Sequence, residues 1–132
     1  MPSTFLLEIA TPERLLVREQ VTEAQIPAAE GYIGVLPEHA PLLGEMGIGE
    51  LSYVAGGRRR DVVVDGGWVE VLPDHVRVLT RRAEHADEID LARARKSLDR
   101  ARERLTAPGI DVARAFNAMK RAQARLAAAE RK

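Results

Sequence analysis

The sequence predicts an α+β protein: an N-terminal antiparallel β-sandwich or barrel followed by a C-terminal antiparallel two-helix hairpin. Before Ala83, apolar residues alternate in short runs, and after it they recur every three or four residues. The charge also changes sign there: residues 1–83 contain 8 basic and 12 acidic side chains, and residues 84–132 contain 12 basic and 8 acidic. We therefore predict a β-domain over residues 1–83 and a helical domain over residues 84–132.

Six short runs in the first part are predicted strands, because turn residues such as Gly, Pro and Asp separate them. They cover residues 5–10, 15–21, 49–55, 60–64, 68–72 and 75–80. The last two form the clearest predicted hairpin, since their valines alternate with mostly polar residues. Strands at this spacing favour a sandwich or a barrel.

The segment 31–43, with the sequence GYIGVLPEHAPLL, is predicted to be a stiff, irregular loop. Its two prolines fix φ and keep the residues before them out of the helical region. We expect its apolar side chains to anchor it on the core; they are Ile33, Val35, Leu36, Leu42 and Leu43. Tyr32, Glu38 and His39 are expected to be exposed and to contact a partner.

The helical pattern starts near Asp87 and is interrupted by Ala-Pro-Gly at 107–109, and Asp111 is placed to cap a second helix. The first apolar stripe is Leu91, Ala94, Leu98, Ala101 and Leu105, and the second is Val112, Ala115, Phe116, Met119, Ala122, Leu126 and Ala129. Alanine buries little area, and each Å² of apolar area contributes only about 25 cal/mol. We therefore expect a weakly held, movable arm.

Four arginines of the arm have the spacing of an anion site. Arg93 and Arg100 are two helical turns apart on one face, and Arg121 and Arg125 are one turn apart on the second helix. If the helices pack as a hairpin, these pairs can converge, and clustered guanidinium groups bind phosphate well. The alternative is a solvated face with weak pairs, such as Asp99 with Arg95 or Arg102.

Other classes of function have less support. The three histidines lack metal-ligand spacing, cysteine is absent, there is no P-loop, and the three serines lie outside nucleophile motifs. We therefore predict no catalytic residue and no metal site. A basic hairpin could bind nucleic acid, but Phe116 is the only aromatic residue of the tail that could stack on bases.

Membrane association is expected only through a partner. The N-terminus lacks the basic start and apolar run of a secretory signal, and no apolar run approaches the length of a membrane span.

The segment 31–43, the sequence GGWVEV at 66–71 and the charged helical tail together closely resemble the epsilon subunit of the bacterial proton-translocating ATP synthase, from about Phe5 onward. The resemblance implies a non-catalytic rotor subunit whose sandwich joins the gamma subunit to the ring of c subunits. It also implies that the arm can extend along gamma to a catalytic beta subunit and block ATP hydrolysis. The expected location is the cytoplasmic face of the bacterial cell membrane, as a peripheral part of the complex.

The arm also resembles those bacterial epsilon subunits that bind ATP, through the sequence IDLARA at 89–94. The resemblance assigns eight residues to such a site: Glu84, Ile89, Asp90, Arg93, Ala94, Arg100, Arg121 and Arg125. It implies that the arginines hold the phosphates, while the other four contact the base and the ribose. ATP would be a regulatory ligand that is sensed without hydrolysis and needs no metal.

Overall fold

A computed structural model describes residues 3–131, so the outermost residues of the two predicted domains, 1–2 and 132, lie outside the described residues. The strands are β1 (Phe5–Ala10), β2 (Leu15–Val21), β3 (Glu23–Ala28), β4 (Gly31–Val35), β5 (Leu42–Ala55), β6 (Arg58–Leu72), β7 (His75–Leu79) and β8 (Ala83–His85). A short 3-10 turn, Ala86–Glu88, leads to the helices α1 (Leu91–Thr106) and α2 (Val112–Glu130). The predicted order of a β-sandwich followed by two helices is confirmed.

The strands follow the order β2-β1-β7-β6-β5-β3-β4, and β8 pairs with β6. All strand pairs are antiparallel except β1 with β7, which is parallel. The prediction of an antiparallel sheet did not include this parallel pair. Alternate residues of the strands pack into one core, whose largest fully buried side chains include Tyr53, Phe5 and Leu7. The sheet therefore wraps around the larger of two apolar clusters.

The long strand β6 was predicted as two strands with a turn at Gly66 and Gly67. These glycines have φ values of 67° and 110°, which side-chain-bearing residues rarely adopt. They therefore bend β6 without ending it. The part before them pairs with β8 and the part after them pairs with β7, so β6 contributes to two regions of the sheet.

The segment 31–43 is more regular than predicted. Gly31–Val35 is strand β4, and β5 begins at Leu42, so only residues 36–41 are irregular. The prediction also omitted β3, because Pro27 interrupts its pattern and proline cannot donate to a ladder. In the structure, the pairing of β3 with β5 is irregular at this point, which accommodates the proline.

The expected anchoring of this segment is correct only in part. Val35 is buried and Ile33 packs against the core, but Leu36 and Leu43 are 60% and 70% exposed. Leu42 is also exposed. Strand alternation turns Leu43 away from the core, whereas Leu36 lies in the irregular segment and Leu42 is the first residue of β5.

The helices form the predicted hairpin, and Asp111 caps α2 by accepting a hydrogen bond from the backbone N–H of Arg114. Helix α1 begins at Leu91, later than the predicted start near Asp87. Val112 and Phe116 of the predicted stripe are exposed, whereas Ala115 between them is buried. Among the described residues, no helix combines the length and apolar character needed to cross a membrane.

Candidate functional site

A cavity of about 510 Å³ lies between the sheet and the helical hairpin. Helix α1 contributes one face to it, through Ser97, Arg100, Ala101 and Arg104. Helix α2 contributes a face with the same spacing, through Ala118, Arg121, Ala122 and Arg125. On each helix these residues lie three or four apart, so they form one stripe. The alanines leave space between the helices, and the arginines bring charge into it.

The sheet supplies acidic groups opposite these arginines. Glu84 on β8 accepts a hydrogen bond from Nε of Arg125 at 2.5 Å, and both side chains are about one-third exposed. This pair joins α2 to the sheet at the cavity wall. A partly buried, charge-assisted hydrogen bond of this kind is stronger than a typical surface ion pair.

Asp65 on β6 is the most buried carboxylate of the site, at 5% exposure. Its Oδ2 lies 3.8 Å from Nη1 of Arg121, and its Oδ1 lies 3.5 Å from Nη2 of Arg81. Its backbone N–H donates to Oγ1 of the buried Thr80 at 3.1 Å. Because a buried charge is costly without partners, the two arginines compensate the carboxylate of Asp65 beside the cavity.

The cavity as a whole is basic. Six arginines and three carboxylates line it, which leaves a formal charge of +3. The basic residues are Arg14, Arg82, Arg100, Arg104, Arg121 and Arg125, and the acidic residues are Asp65, Glu84 and Glu88. Its volume lies in the range of small-molecule sites. The arrangement therefore suits an anion with several charges.

Four of the eight predicted ligand residues line this cavity: Glu84, Arg100, Arg121 and Arg125. The other four do not. Ile89 and Ala94 are buried in an apolar cluster with Val63 of the sheet. Asp90 caps α1 by accepting a hydrogen bond from the backbone N–H of Arg93, at 3.2 Å. The side chain of Arg93 is exposed.

The apolar cluster explains how the motif 89–94 contributes to the fold. Ala128 and Ala129, at the end of α2, complete the cluster. Ile89 is only 1% exposed, so this part of the chain fastens the base of the hairpin to β6. The structure also gives Glu84 to the sheet, because it pairs with Val63 although it was predicted to begin the helical domain.

Of the expected partner-contacting residues, Glu38 and His39 lie in the turn between β4 and β5, and Tyr32 lies near the start of β4. Tyr32 is 60% exposed, Glu38 is exposed and His39 is half-buried. Glu38 has a φ of 66°, which is uncommon for a residue with a side chain. Its backbone N–H donates to the carbonyl of Pro73 at 2.7 Å, so the turn is held against the next hairpin.

Exposed leucines surround these residues. Three of them, Leu36, Leu42 and Leu43, were predicted to anchor the segment on the core. Leu36, Leu42 and Leu43 lie in or next to the turn. Leu72 is exposed at the end of β6, close to Leu42, because Leu42 pairs with the neighbouring residue Val71. Apolar residues grouped at the surface often mark a contact with another protein. The structure thus adds an apolar component to the predicted contact surface.

Sequence reasoning missed several residues of the cavity. Arg104 could have been found, because it lies one helical turn after Arg100. Asp65 gave no signal, since a carboxylate before two glycines is typical of a turn. Arg14 lies far from the helices in sequence and Arg82 lies between two strands, so only the fold brings them to the cavity. Within residues 3–131, no group of histidine, aspartate or glutamate side chains is placed to hold a metal.

Comparison with known families gives two matches that together span most of the chain. Residues 4–86 match the model described as the beta-sandwich domain of the ATP synthase delta/epsilon chain. Residues 87–130 match the long alpha-helix domain of the same chain.

Curated relatives and a solved structure agree with these matches. The chain is 60% identical to the ATP synthase epsilon chain of Solibacter usitatus over 82% of its length and 81% of the relative. It is 46% identical to that of Koribacter versatilis over 83% of its length and 77% of the relative. A chain of the mitochondrial ATP synthase of Euglena gracilis, in a structure that includes the c-ring, has a TM-score of 0.86 at 25% identity, covering 97% of this chain and 82% of that one.

Proposed function

This chain belongs to the ATP synthase epsilon chain family, whose members are non-catalytic stalk subunits, and from this membership we propose a function in two parts. The sandwich joins the gamma subunit to the c ring, and the helical hairpin regulates ATP hydrolysis. The observation that carries the regulatory part is the basic cavity between them, because a ligand there contacts both parts at once.

The turn between β4 and β5 supports the first part of the proposal. It presents Glu38 and His39 beside exposed leucines, Tyr32 is exposed near the start of β4, and the backbone of the turn is fixed by the contact with Pro73. An exposed surface that combines apolar and polar groups is typical of a protein–protein interface. Through these contacts the chain is held at the cytoplasmic face of the bacterial membrane as a peripheral component.

The attachment of the hairpin supports the second part. The helices contact the sheet through small apolar side chains, mostly alanines, and through ion pairs of α2 with Asp65, Glu84 and Glu50. Such an interface buries little area and can open. The released arm extends along gamma, and the net charge of +4 in residues 111–132 suits an acidic surface of the catalytic beta subunit.

ATP acts in this proposal as the regulator of the arm. The cavity exists only while the hairpin lies on the sheet, so ATP binds the closed form and not the extended one. A hundredfold excess over the dissociation constant stabilises the bound form by about 2.7 kcal/mol. That free energy is enough to shift an arm that is held weakly.

The test uses ATP synthase reconstituted with the full chain or with a chain ending at Asp90. We expect both complexes to assemble with gamma and the c ring, and only the full chain to inhibit ATP hydrolysis at low ATP. Inhibition should decrease as ATP rises above its dissociation constant, which calorimetry on the isolated chain measures. Equal hydrolysis by both complexes at low ATP would contradict the regulatory role.

A further inference from the structure

Trp68, the only tryptophan of the sequence, is 54% exposed on β6, and its cross-strand partner Leu79 on β7 is 52% exposed. We propose that these two residues and the flank of α2 form one docking groove for the gamma subunit, so that docking of gamma stabilises the closed arm. The proposal rests on the function proposed above, since it takes gamma as a partner, but it concerns a different surface from the turn and the basic cavity.

Trp68 and Leu79 belong to an apolar row across the outer face of the sheet. Leu79 pairs with Ala10 on β1, and Ala10 pairs with Leu15 on β2, which is 53% exposed. On β6, Leu72 faces the same side as Trp68, so the row is continuous with the exposed leucines near the turn. An apolar surface of this kind marks a contact with another protein.

A charged row lies next to the apolar row, two residues away on β1, β6 and β7. Its members lie opposite one another across four strands: Arg18, Glu8, Arg77 and Glu70. Their signs alternate, and the carboxylate of Glu8 lies 3.7 Å from Arg18 and 3.6 Å from Arg77. Because these charges compensate one another within the face, it suits an apolar protein surface better than a nucleic acid or an anionic membrane.

Helix α2 forms the second side of the groove. The groove has a volume of about 890 Å³, and Trp68 and Leu79 line it from the sheet. Asn117 and Lys120 line it from α2, and Nζ of Lys120 lies 5.2 Å from the centre of the Phe116 ring. Among the described residues, the groove and the basic cavity share no lining residue. A protein that fills the groove therefore contacts the sheet and the arm at once.

The position of the groove favours gamma as its occupant. In the proposed function, the released arm extends along gamma, so gamma lies beside α2 when the arm leaves the sheet. A subunit in that place can also reach the flank of α2 while the arm is closed. Nothing in the proposed function brings the c ring to α2.

The composite groove couples docking to the state of the arm. The side formed by α2 exists only while the hairpin lies on the sheet, so gamma binds the closed form more tightly than a form with the arm released. Binding free energies are reciprocal, and docked gamma therefore favours the closed arm by the same factor. Gamma in this groove opposes release of the arm.

The first experiment measures binding of the purified gamma subunit to the isolated full chain by calorimetry. Trp68→Ser should weaken binding about thirtyfold, because a central tryptophan is often a hot spot of an interface. Lys120→Ala should weaken it about fivefold, through loss of the contact at α2. The matched control is Lys96→Ala, which removes the same side chain from an exposed position of α1 outside the groove and should change binding less than about twofold. Unchanged thermal unfolding of the free variants verifies that they fold.

The second experiment measures hydrogen exchange in residues 112–130 with and without saturating gamma. Gamma should slow exchange about fivefold in the unsubstituted chain and in Lys96→Ala, and less than about twofold in Lys120→Ala. This readout reports the state of the arm and not the affinity.

The outcomes separate this inference from the proposed function. If gamma does not bind the unsubstituted chain, the proposed function and the inference are both wrong. If gamma binds and Trp68→Ser weakens only binding of the purified c ring, the occupant is wrong while the proposed function stands. If Lys120→Ala behaves as Lys96→Ala does in both experiments, gamma docks without contacting the closed arm, and the coupling is wrong.

Discussion

Gly67 lies where β6 bends and passes close to the end of β7. A Cβ at this position would lie 1.9 Å from the carbonyl oxygen of Leu79, and the φ of 110° is also unfavourable for a side chain. The atoms nearest to this Cβ belong to the backbone of Leu79 and Thr80, so no change of side-chain rotamer can relieve the clash. The close approach of two strands therefore requires glycine here, whereas the sequence indicated only a turn.

Gly67→Ala is expected to lower the free energy of unfolding by about 3 kcal/mol or more, since the clash involves backbone. The matched control is Gly56→Ala, where φ is 58° and nothing lies within 4 Å of the added Cβ. That control should cost only about 1 kcal/mol, from the backbone conformation alone. Urea unfolding measures both changes. Equal midpoints for the two variants would contradict the close packing at Gly67.

Glu8 gives the fold a dependence on pH. The side chain accepts a hydrogen bond from Nε2 of His75 at 2.5 Å, and this bond lowers the pKa of Glu8 below its usual 4.5. Partial burial opposes the shift, while the nearby charges of His75, Arg77 and Arg18 add to it. Because the pKa is lower in the folded state, the stabilisation is present above pH 4.5 and is lost as the pH falls through the folded-state pKa.

Glu8→Gln should therefore reduce the loss of stability between about pH 5.5 and about pH 3, because glutamine does not titrate. Urea unfolding at the two pH values provides the measurement. Glu13→Gln is the control, since Glu13 is exposed in the turn between β1 and β2 and should leave the acid loss unchanged. The same acid loss in Glu8→Gln as in the unsubstituted chain would exclude this role of Glu8.

At the scale of elements, the sequence predicted those with a strong period, and it did not predict those that depend on long-range strand pairing. The helices, their break at Pro108 and the cap at Asp111 depend on neighbours in sequence, so the pattern predicted them. Strand β3 was not predicted because Pro27 interrupts its pattern. In the fold, the register between β3 and β5 shifts between Gln25 and Ala28, and this shift accommodates the proline. Of the four arginines predicted from helical spacing, three line the cavity and Arg93 does not, because helical spacing gives the face of each residue but not what packs against it.

The boundary between sheet and hairpin is an element-scale prediction. A chain ending at Ala83 loses most of β8 and leaves residues 62–64 of β6 as an open edge. A chain ending at Asp90 keeps β8 and also Ile89, which still packs against Val63 but loses its contacts with the helices, so it retains only part of the about 1.5–3 kcal/mol that complete burial contributes. We expect the shorter chain to be less stable by about 1–3 kcal/mol and to aggregate more readily. Urea unfolding and light scattering measure both properties, and equal behaviour would show that the sheet unit ends at Ala83.

At the scale of the molecule, three arginines of the second half fasten α2 to carboxylates of the first. Arg121 faces Asp65, Arg125 bonds to Glu84, and Arg131 lies 2.7 Å from Glu50. The opposite net charges of the two parts of the sequence become, in the fold, these specific contacts. Two of the three pairs border the basic cavity, and the third, at Glu50, lies outside it. The pair at Glu50 can therefore be changed without altering the residues that line the cavity.

Reversing the charge of Arg131 should release the end of α2. Glu50 is 12% exposed, and its Oε1 has no hydrogen-bond partner among the described residues, so its carboxylate depends on Arg131. Arg131→Glu is expected to disfavour the closed arm by about 1 kcal/mol, or roughly fivefold, because the pair is half-exposed on the arginine side. Hydrogen exchange in residues 112–130 should become faster, and inhibition of ATP hydrolysis in the assembled enzyme should become stronger.

The charge-swapped variant Glu50→Lys with Arg131→Glu restores an ion pair and should return both properties towards those of the unsubstituted chain. If the swap leaves exchange as fast as the single variant does, the pair does not hold the arm; if exchange responds but hydrolysis does not, the arm moves without regulating the enzyme.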